Sequence, residues 1–251
     1  MTSAAHLIIL GSTGEVGKQC LAAALEDERV AAVHTFGRRA PTVPDSTKLK
    51  HTSLDFEALL AENGAGPETR KLKDADCDGI VIALGTTRKN AGGAEKFERI
   101  DREYVLAAAK AARTEKQEQR VVYCSAQAAS SSSSFLYPRS KGLTEEGLAS
   151  LGYSETVIFR PGYLVIPGGR AESRLAETLF GAVTNAFSTF THSLQIPTPI
   201  LGRAMIAAAV SPLSTLKKPE FGQQQTLAGH TLWAVNNAQA IPLGGGKSPK
   251  L

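Results

Sequence analysis

The chain has 251 residues, 42% hydrophobic and 21% charged, a composition that suits one large α/β domain with a sizeable core and a small appended lobe. Its net charge of +4 is mild and no dense Lys/Arg run occurs, which argues against a nucleic-acid partner. No apolar run approaches the roughly 18 residues of a membrane span, and the three cysteines, Cys20, Cys77 and Cys124, lack metal-ligand spacing, so a reduced intracellular protein without a metal site is expected.

The first element is the apolar run Leu7 to Leu10, which ends at Gly11 and reads as a strand buried on both faces. Because it begins near Leu7, no cleavable targeting peptide is expected ahead of it. Gly11-Ser12-Thr13-Gly14-Glu15-Val16-Gly17 follows, and helical spacing then places Val16, Cys20, Ala23 and Ala24 on one side. Strand, glycine turn and helix together present backbone N–H groups and a helix N-terminus to a phosphate. Gly11 would allow the tight turn, Gly14 the approach of a pyrophosphate, and Gly17 the packing of helix on strand. A Walker A loop fails on spacing: Gly17 lies six positions after Gly11 where five are needed, and Gln19 replaces the magnesium-binding Ser or Thr.

Val30 to Phe36 predicts a second strand, ending at Gly37-Arg38-Arg39. In a parallel doubly wound sheet this end faces the adenosine ribose. An acid there suits the 2′-hydroxyl of NAD, whereas Arg38 and Arg39 suit the 2′-phosphate of NADP. Leu49 to Leu54 predicts a third strand, with Asp55 near the adenine, and 64–73 predicts a polar surface excursion. Gly79 to Leu84 predicts a fourth strand running into Gly85-Thr86-Thr87, at the carboxyl end where such sheets bind ligands. Phe97, Ile100, Tyr104, Val105, Ala108 and Ala112 form an apolar helical stripe that reads as core.

Arg120 to Cys124 predicts a fifth strand that delivers Ser125, and Ser130 to Ser134 a flexible polar loop. Phe135-Leu136-Tyr137 opens a helix through Leu148, and Thr156 to Phe159 predicts a sixth strand closing on Arg160-Pro161-Gly162. Beyond Ile166 the alternation fades. Helices over 171–186 and 203–210, separated by the proline-bearing stretch 195–200, predict a substrate lobe over 163–243 with a loose tail at 244–251.

Tyr137 and Lys141 are four residues apart and share one helix face. A neighbouring ammonium favours the ionised phenol, which makes tyrosine a usable proton donor or acceptor opposite a hydride carrier. Ser125, twelve residues upstream, could hydrogen-bond the same substrate oxygen. Pro138 sets Tyr137 at the start of the helix, where its reach to Lys141 is at issue.

Over residues 6 to 212 the sequence resembles the short-chain dehydrogenase/reductase superfamily, and within it the atypical branch of Tat-interacting-protein-like oxidoreductases and their fungal mitochondrial relatives. The motifs are Gly11 to Gly17, Gly37-Arg-Arg39, Gly85-Thr-Thr-Arg88 with Ala91-Gly92, Phe135-Leu-Tyr137 with Lys141-Gly142, Phe159-Arg-Pro-Gly162 and Glu172-Ser-Arg174. The resemblance implies an α/β Rossmann fold binding NADP through these turns, including Leu84, with Ser125, Tyr137 and Lys141 in the catalytic positions and Lys141 also touching the ribose. It further implies peripheral contact with the cytosolic face of the mitochondrial outer membrane. Two functions stay open on these residues. One is an NADP(H)-dependent reductase or dehydrogenase of a small carbonyl or alcohol; the other is an NADPH-binding scaffold for a protein partner, without turnover.

Overall fold

The computed structural model describes residues 4–116, 118–167, 195–211, 214 and 217–246. Its centre is β1 (Ala5–Leu10), whose unbroken apolar run has a direct physical cause. Leu7 and Ile9 point into one hydrophobic cluster while Ile8 and Leu10 point into another, so all four are buried. On either side the strands run β3 (Leu49–Ser53), β2 (Val30–Gly37), β1, β4 (Gly79–Ile82), β5 (Arg120–Cys124), β6 (Glu155–Phe159), β10 (His230–Val235) and β9 (Gln223–Leu227). All pair in parallel except β9, which is antiparallel to β10 at the edge. The order reverses direction between β1 and β4, and that reversal opens a crevice at the carboxyl ends of the strands.

Helices cover both faces. On one side α1 (Glu15–Glu26), α8 (Thr198–Val210) and α9 (Asn237–Leu243) bury Cys20, Leu21, Leu201, Met205 and Ile241 against the odd-numbered residues of β1. On the other, α2 (Phe56–Ala61), α3 (Pro67–Lys73), α6 (Tyr104–Ala112) and α7 (Leu136–Ala149) bury Leu59, Leu72, Val105 and Leu148. Two short helices, α4 (Arg88–Ala91) and α5 (Ala94–Glu98), lead into a single π-helical stretch at Arg99–Glu103 before α6 begins. The expected Rossmann architecture is therefore present.

Three expectations change. The surface excursion expected over 64–73 contains a helix: Pro67 starts α3, where its missing N–H costs nothing, and Thr69 and Leu72 are buried. The lobe expected over 163–243 is only partly separate. β7 (Tyr163–Val165) and β8 (Gln195–Pro197) form their own two-stranded sheet, but Trp233–Val235 pair with Val157–Phe159 and extend the main one. The expected tail begins later than 244, because the Gly244 and Gly246 N–H groups bond back to Ala240 and Ile241 and close α9. The helix expected over 171–186, the motif at 172–174 and the remainder of the tail lie outside the described residues.

Candidate functional site

Gly11 turns the chain out of β1 with φ +80, and a Cβ there would stand 2.5 Å from the Ala83 carbonyl oxygen. Its own carbonyl accepts the Gly14 N–H at 2.9 Å. A Cβ on Gly17 would lie 2.0 Å from that same carbonyl, so only glycine lets α1 sit down on the turn. Gly14 differs. Its backbone is extended and an added Cβ would meet only the Gly11 oxygen, at 3.4 Å, so the protein itself leaves room there. Gly14 also caps α1 with no side-chain bond to the first N–H groups. The need for glycine at this position thus points outward, toward a ligand at the helix N-terminus, where anions are favoured.

A cleft joins Gly11, Ser12 and Thr13 to Gly37, Arg38, Arg39 and Leu84, with Phe36 and Phe56 as its apolar lining. Arg38 and Arg39 are exposed and make no ion pair or hydrogen bond among the described residues. Asp55 caps α2 by accepting the Glu57 and Ala58 N–H groups, so its carboxylate is already engaged. The next residue, Phe56, is the one that lines the cleft. A larger cavity of about 450 Å³ lies among the β1–β3 strands, around His6, His34, Lys50 and Lys71, away from the residues assembled below.

Beyond Gly85, at the carboxyl end of β4, sits a buried ion pair. Lys141, on α7, is 5% exposed; its Nζ lies 3.2 Å from Asp101 Oδ1 and donates to the Tyr123 hydroxyl at 2.9 Å. A Cβ on Gly85 would stand 3.0 Å from the same Asp101 oxygen, so the turn rests directly on this pair. Burial works against the Lys141 charge, but Tyr123, Asp101 and Tyr137 hold its pKa well above the usual lysine range. Tyr137 stands in the first turn of α7, with its ring centre 6.0 Å from Lys141 Nζ and 6.1 Å from that of Phe97.

The phenol of Tyr137 is raised by burial, and the pull of Lys141 only partly offsets this. The ammonium thus acts in the expected direction, but Lys141 bonds Tyr123 and desolvation outweighs it, so the net shift of Tyr137 is upward. Burial likewise pushes the Cys77 and Cys124 thiols up to about 11 and raises Cys20, so none is a thiolate nucleophile at neutral pH.

Asp101 and Tyr123 are the site residues the sequence reading passed over. Asp101 lies in the π-helical stretch, four residues after Phe97 and four before Val105, so it is an acid inside the apolar stripe. That position was its signal. The π turn swings it inward to 1% exposure, and such turns recur at functional sites.

Ser125 follows β5, where its N–H donates to the Phe159 carbonyl at 2.7 Å. Its hydroxyl does not stand free. It donates to Glu145 Oε1 at 2.5 Å, and Glu145, four residues after Lys141, is itself gripped by Arg160 through Nη2 at 2.6 Å and through Nε. Arg160 is thereby turned inward, the Pro161 carbonyl accepts the Gln127 N–H, and the Gly162 N–H bonds Asn237. The serine run is a loop, as expected, and it lies against α7. The Ser130 N–H donates to the Pro138 carbonyl at 3.0 Å, and the loop lies so close to α7 that a Cβ on Gly142 would be 2.1 Å from the Ser131 nitrogen.

Among the described residues no cluster of His, Cys, Asp and Glu could hold a metal, and no helix is long and apolar enough to cross a membrane. No family model matches the chain. It is 30% identical to "Protein fmp52, mitochondrial" of Aspergillus fumigatus over 97% of its own length and 100% of that protein's. It is 36% identical to "Protein FMP52, mitochondrial" of Candida albicans over 66% of its own length and 69% of the other's. Among solved structures, Bordetella bronchiseptica WbmF in complex with NAD+ superposes with a TM-score of 0.57 at 17% identity, over 82% of this chain and 70% of that one. The PhqB reductase domain of Penicillium fellutanum superposes with 0.61 at 14% identity, over 84% and 65%. These likenesses establish the fold.

Proposed function

The chain belongs to the fmp52 family, and we propose that it is an NADP(H)-dependent oxidoreductase acting on a small alcohol or carbonyl compound. The observation that carries this reading is the convergence, at the carboxyl ends of β1, β2, β4 and β5, of a glycine turn with room at Gly14 and the Tyr137–Lys141 pair. NADP(H) fits the residues present. The N-terminus of α1 would take the pyrophosphate, Arg38 and Arg39 the 2′-phosphate, and Leu84 to Thr86 would border the nicotinamide half. When bound, the cofactor supplies or accepts the hydride.

The chain's own residues do the rest. Tyr137 passes a proton between its hydroxyl and the substrate oxygen. Lys141, held charged at the bottom of the site, favours the ionised phenol and would be the residue to hold the cofactor's ribose. Asp101 and Tyr123 fix where that ammonium stands. Ser125 orients the substrate oxygen. Buried Phe97 beside Tyr137 and the serine run laid on α7 help exclude water.

The relatives carry "mitochondrial" in their names. On that ground, and on the family resemblance, we place this protein at mitochondria, in peripheral contact with the cytosolic face of the outer membrane. Carbonate extraction of isolated mitochondria should release it, and retention in the carbonate pellet would contradict peripheral attachment. The function is tested by incubating the protein with NADPH and a panel of small aldehydes and ketones, and with NADP+ and the matching alcohols. Cofactor-linked conversion of at least one pair is expected. Tight NADPH binding without conversion of any pair would replace the enzyme with a cofactor-dependent scaffold for a protein partner.

A further inference from the structure

Ser125 has one hydroxyl hydrogen, and it is spent on Glu145. A carboxylate can only accept, so while Glu145 stays ionised the serine must be the donor in that bond. With that hydrogen spent, Ser125 can offer any further partner only its lone pairs. The arrangement is fixed from behind: Glu145 is 1% exposed and Arg160 occupies both its oxygens, with Nε at 3.1 and 3.2 Å and Nη2 at 2.6 Å. Arg160 is in turn tied by Nη1 to Gln225 on the edge strand β9. A serine held this way cannot donate to a carbonyl oxygen, but it can accept from a hydroxyl group.

We propose that Glu145, clamped by Arg160, is a positioning residue that sets Ser125 as a hydrogen-bond acceptor, so that the site selects its ligand as the alcohol rather than the ketone or aldehyde. The inference rests on the NADP(H)-dependent reading of the same site and adds the substrate's binding form to it. Tyr137 is left as the hydroxyl that serves the carbonyl form.

Glu145→Gln tests this by reversing one dipole without changing size. Arg160 presents only N–H groups, so the amide oxygen must turn to Nη2, and the amide NH2 must then face Ser125. The serine becomes an acceptor from residue 145, and its own hydrogen is released toward the site. The probes are 1-methylcyclohexanol and cyclohexanone, titrated by ligand-observed NMR into the protein loaded with NADP+. Neither can react there, since the tertiary alcohol has no hydride to give and the ketone needs one.

The wild type should favour the alcohol by roughly fivefold, the size of one net hydrogen bond. Glu145→Gln should shift that ratio toward the ketone. Ser125→Ala, which keeps Glu145 and Arg160 paired and so does not depend on that variant folding, should abolish the preference. Equal binding of the two probes by the wild type, no binding of either, or a ratio unmoved by both substitutions would overturn the inference. Failure of NADP+ itself to bind would remove the proposed function instead.

Discussion

Lys141 and Asp101 face each other at 3.2 Å with almost no solvent access, and neither Asp101 oxygen makes a directional hydrogen bond among the described residues. Such a pair adds little net stability, but removing one member strands the other charge in a dry site. Asp101→Ala should therefore destabilise the fold by about 3–5 kcal/mol, while Asp101→Asn, which keeps the volume and offers an oxygen to Lys141, should cost less. Denaturant unfolding of both variants measures this; equal and negligible losses would mean the pair is hydrated. Tyr137→Phe isolates the chemical role. It keeps the ring against Phe97, so NADPH affinity should hold while turnover of any accepted substrate falls by about 10²–10⁴-fold. Wild-type turnover by that variant would remove Tyr137 from the mechanism. The sequence revealed Tyr137 and Lys141 by their spacing, but not which group the ammonium prefers. That depends on Tyr123, eighteen residues away, whose side chain meets Lys141 only through the tertiary fold.

Elements were legible where one cause dominated. β1 announces itself because a strand covered on both faces has no polar position to spare, and its glycine turn follows at once. α3 was hidden because only Thr69 and Leu72 of its seven residues are buried, which leaves no stripe to read. β9 was hidden because an edge strand of three glutamines, one threonine and one leucine has no local signature, and its pairing comes from β10.

Two predictions belong at this scale. Gly14→Val should leave the protein folded, since the backbone is extended and the nearest atom leaves room for a Cβ, yet abolish NADPH binding. A folded variant of undiminished affinity would show that the phosphates sit elsewhere. The second concerns the β2–β3 pair, where His34 Nε2 meets Thr52 Oγ1 at 2.7 Å. Burial, with Lys50 and His51 nearby, lowers the His34 pKa to about 4. The unfolded imidazole titrates near about 6.5, so between those values the unfolded chain takes up a proton that the folded chain refuses, and stability falls as pH drops through that window. His34 is only partly buried, so solvent screening keeps the loss on the order of 1 kcal/mol. Unfolding at about pH 7.5 and about pH 5 should show it in the wild type and not in His34→Gln. An equal loss in both would assign it to other groups.

For the whole molecule, the reversal of strand order beside β1 decides where chemistry can happen. It gathers Gly14, Arg38, Gly85, Ser125 and Tyr137 at one end of the sheet although more than a hundred residues separate the first from the last. That end was legible because each strand delivers its motif just after its last apolar residue. The substrate side was not, because the main sheet reclaims β10 from the expected lobe through a pairing of Trp233–Val235 with Val157–Phe159 that no local pattern announces.

The central claim is that this end binds NADP(H) through the α1 N-terminus and the arginines after β2. Fluorescence titration of NADPH and NADH into the wild type and into Arg38→Ala/Arg39→Ala tests it most directly. The account predicts that NADPH binds the wild type tighter than NADH by roughly tenfold or more, as a charge-assisted contact of about 1.5–3 kcal/mol requires, and that the double variant loses this difference. Equal affinities of the wild type for the two nucleotides, or no saturable binding of either, would contradict it.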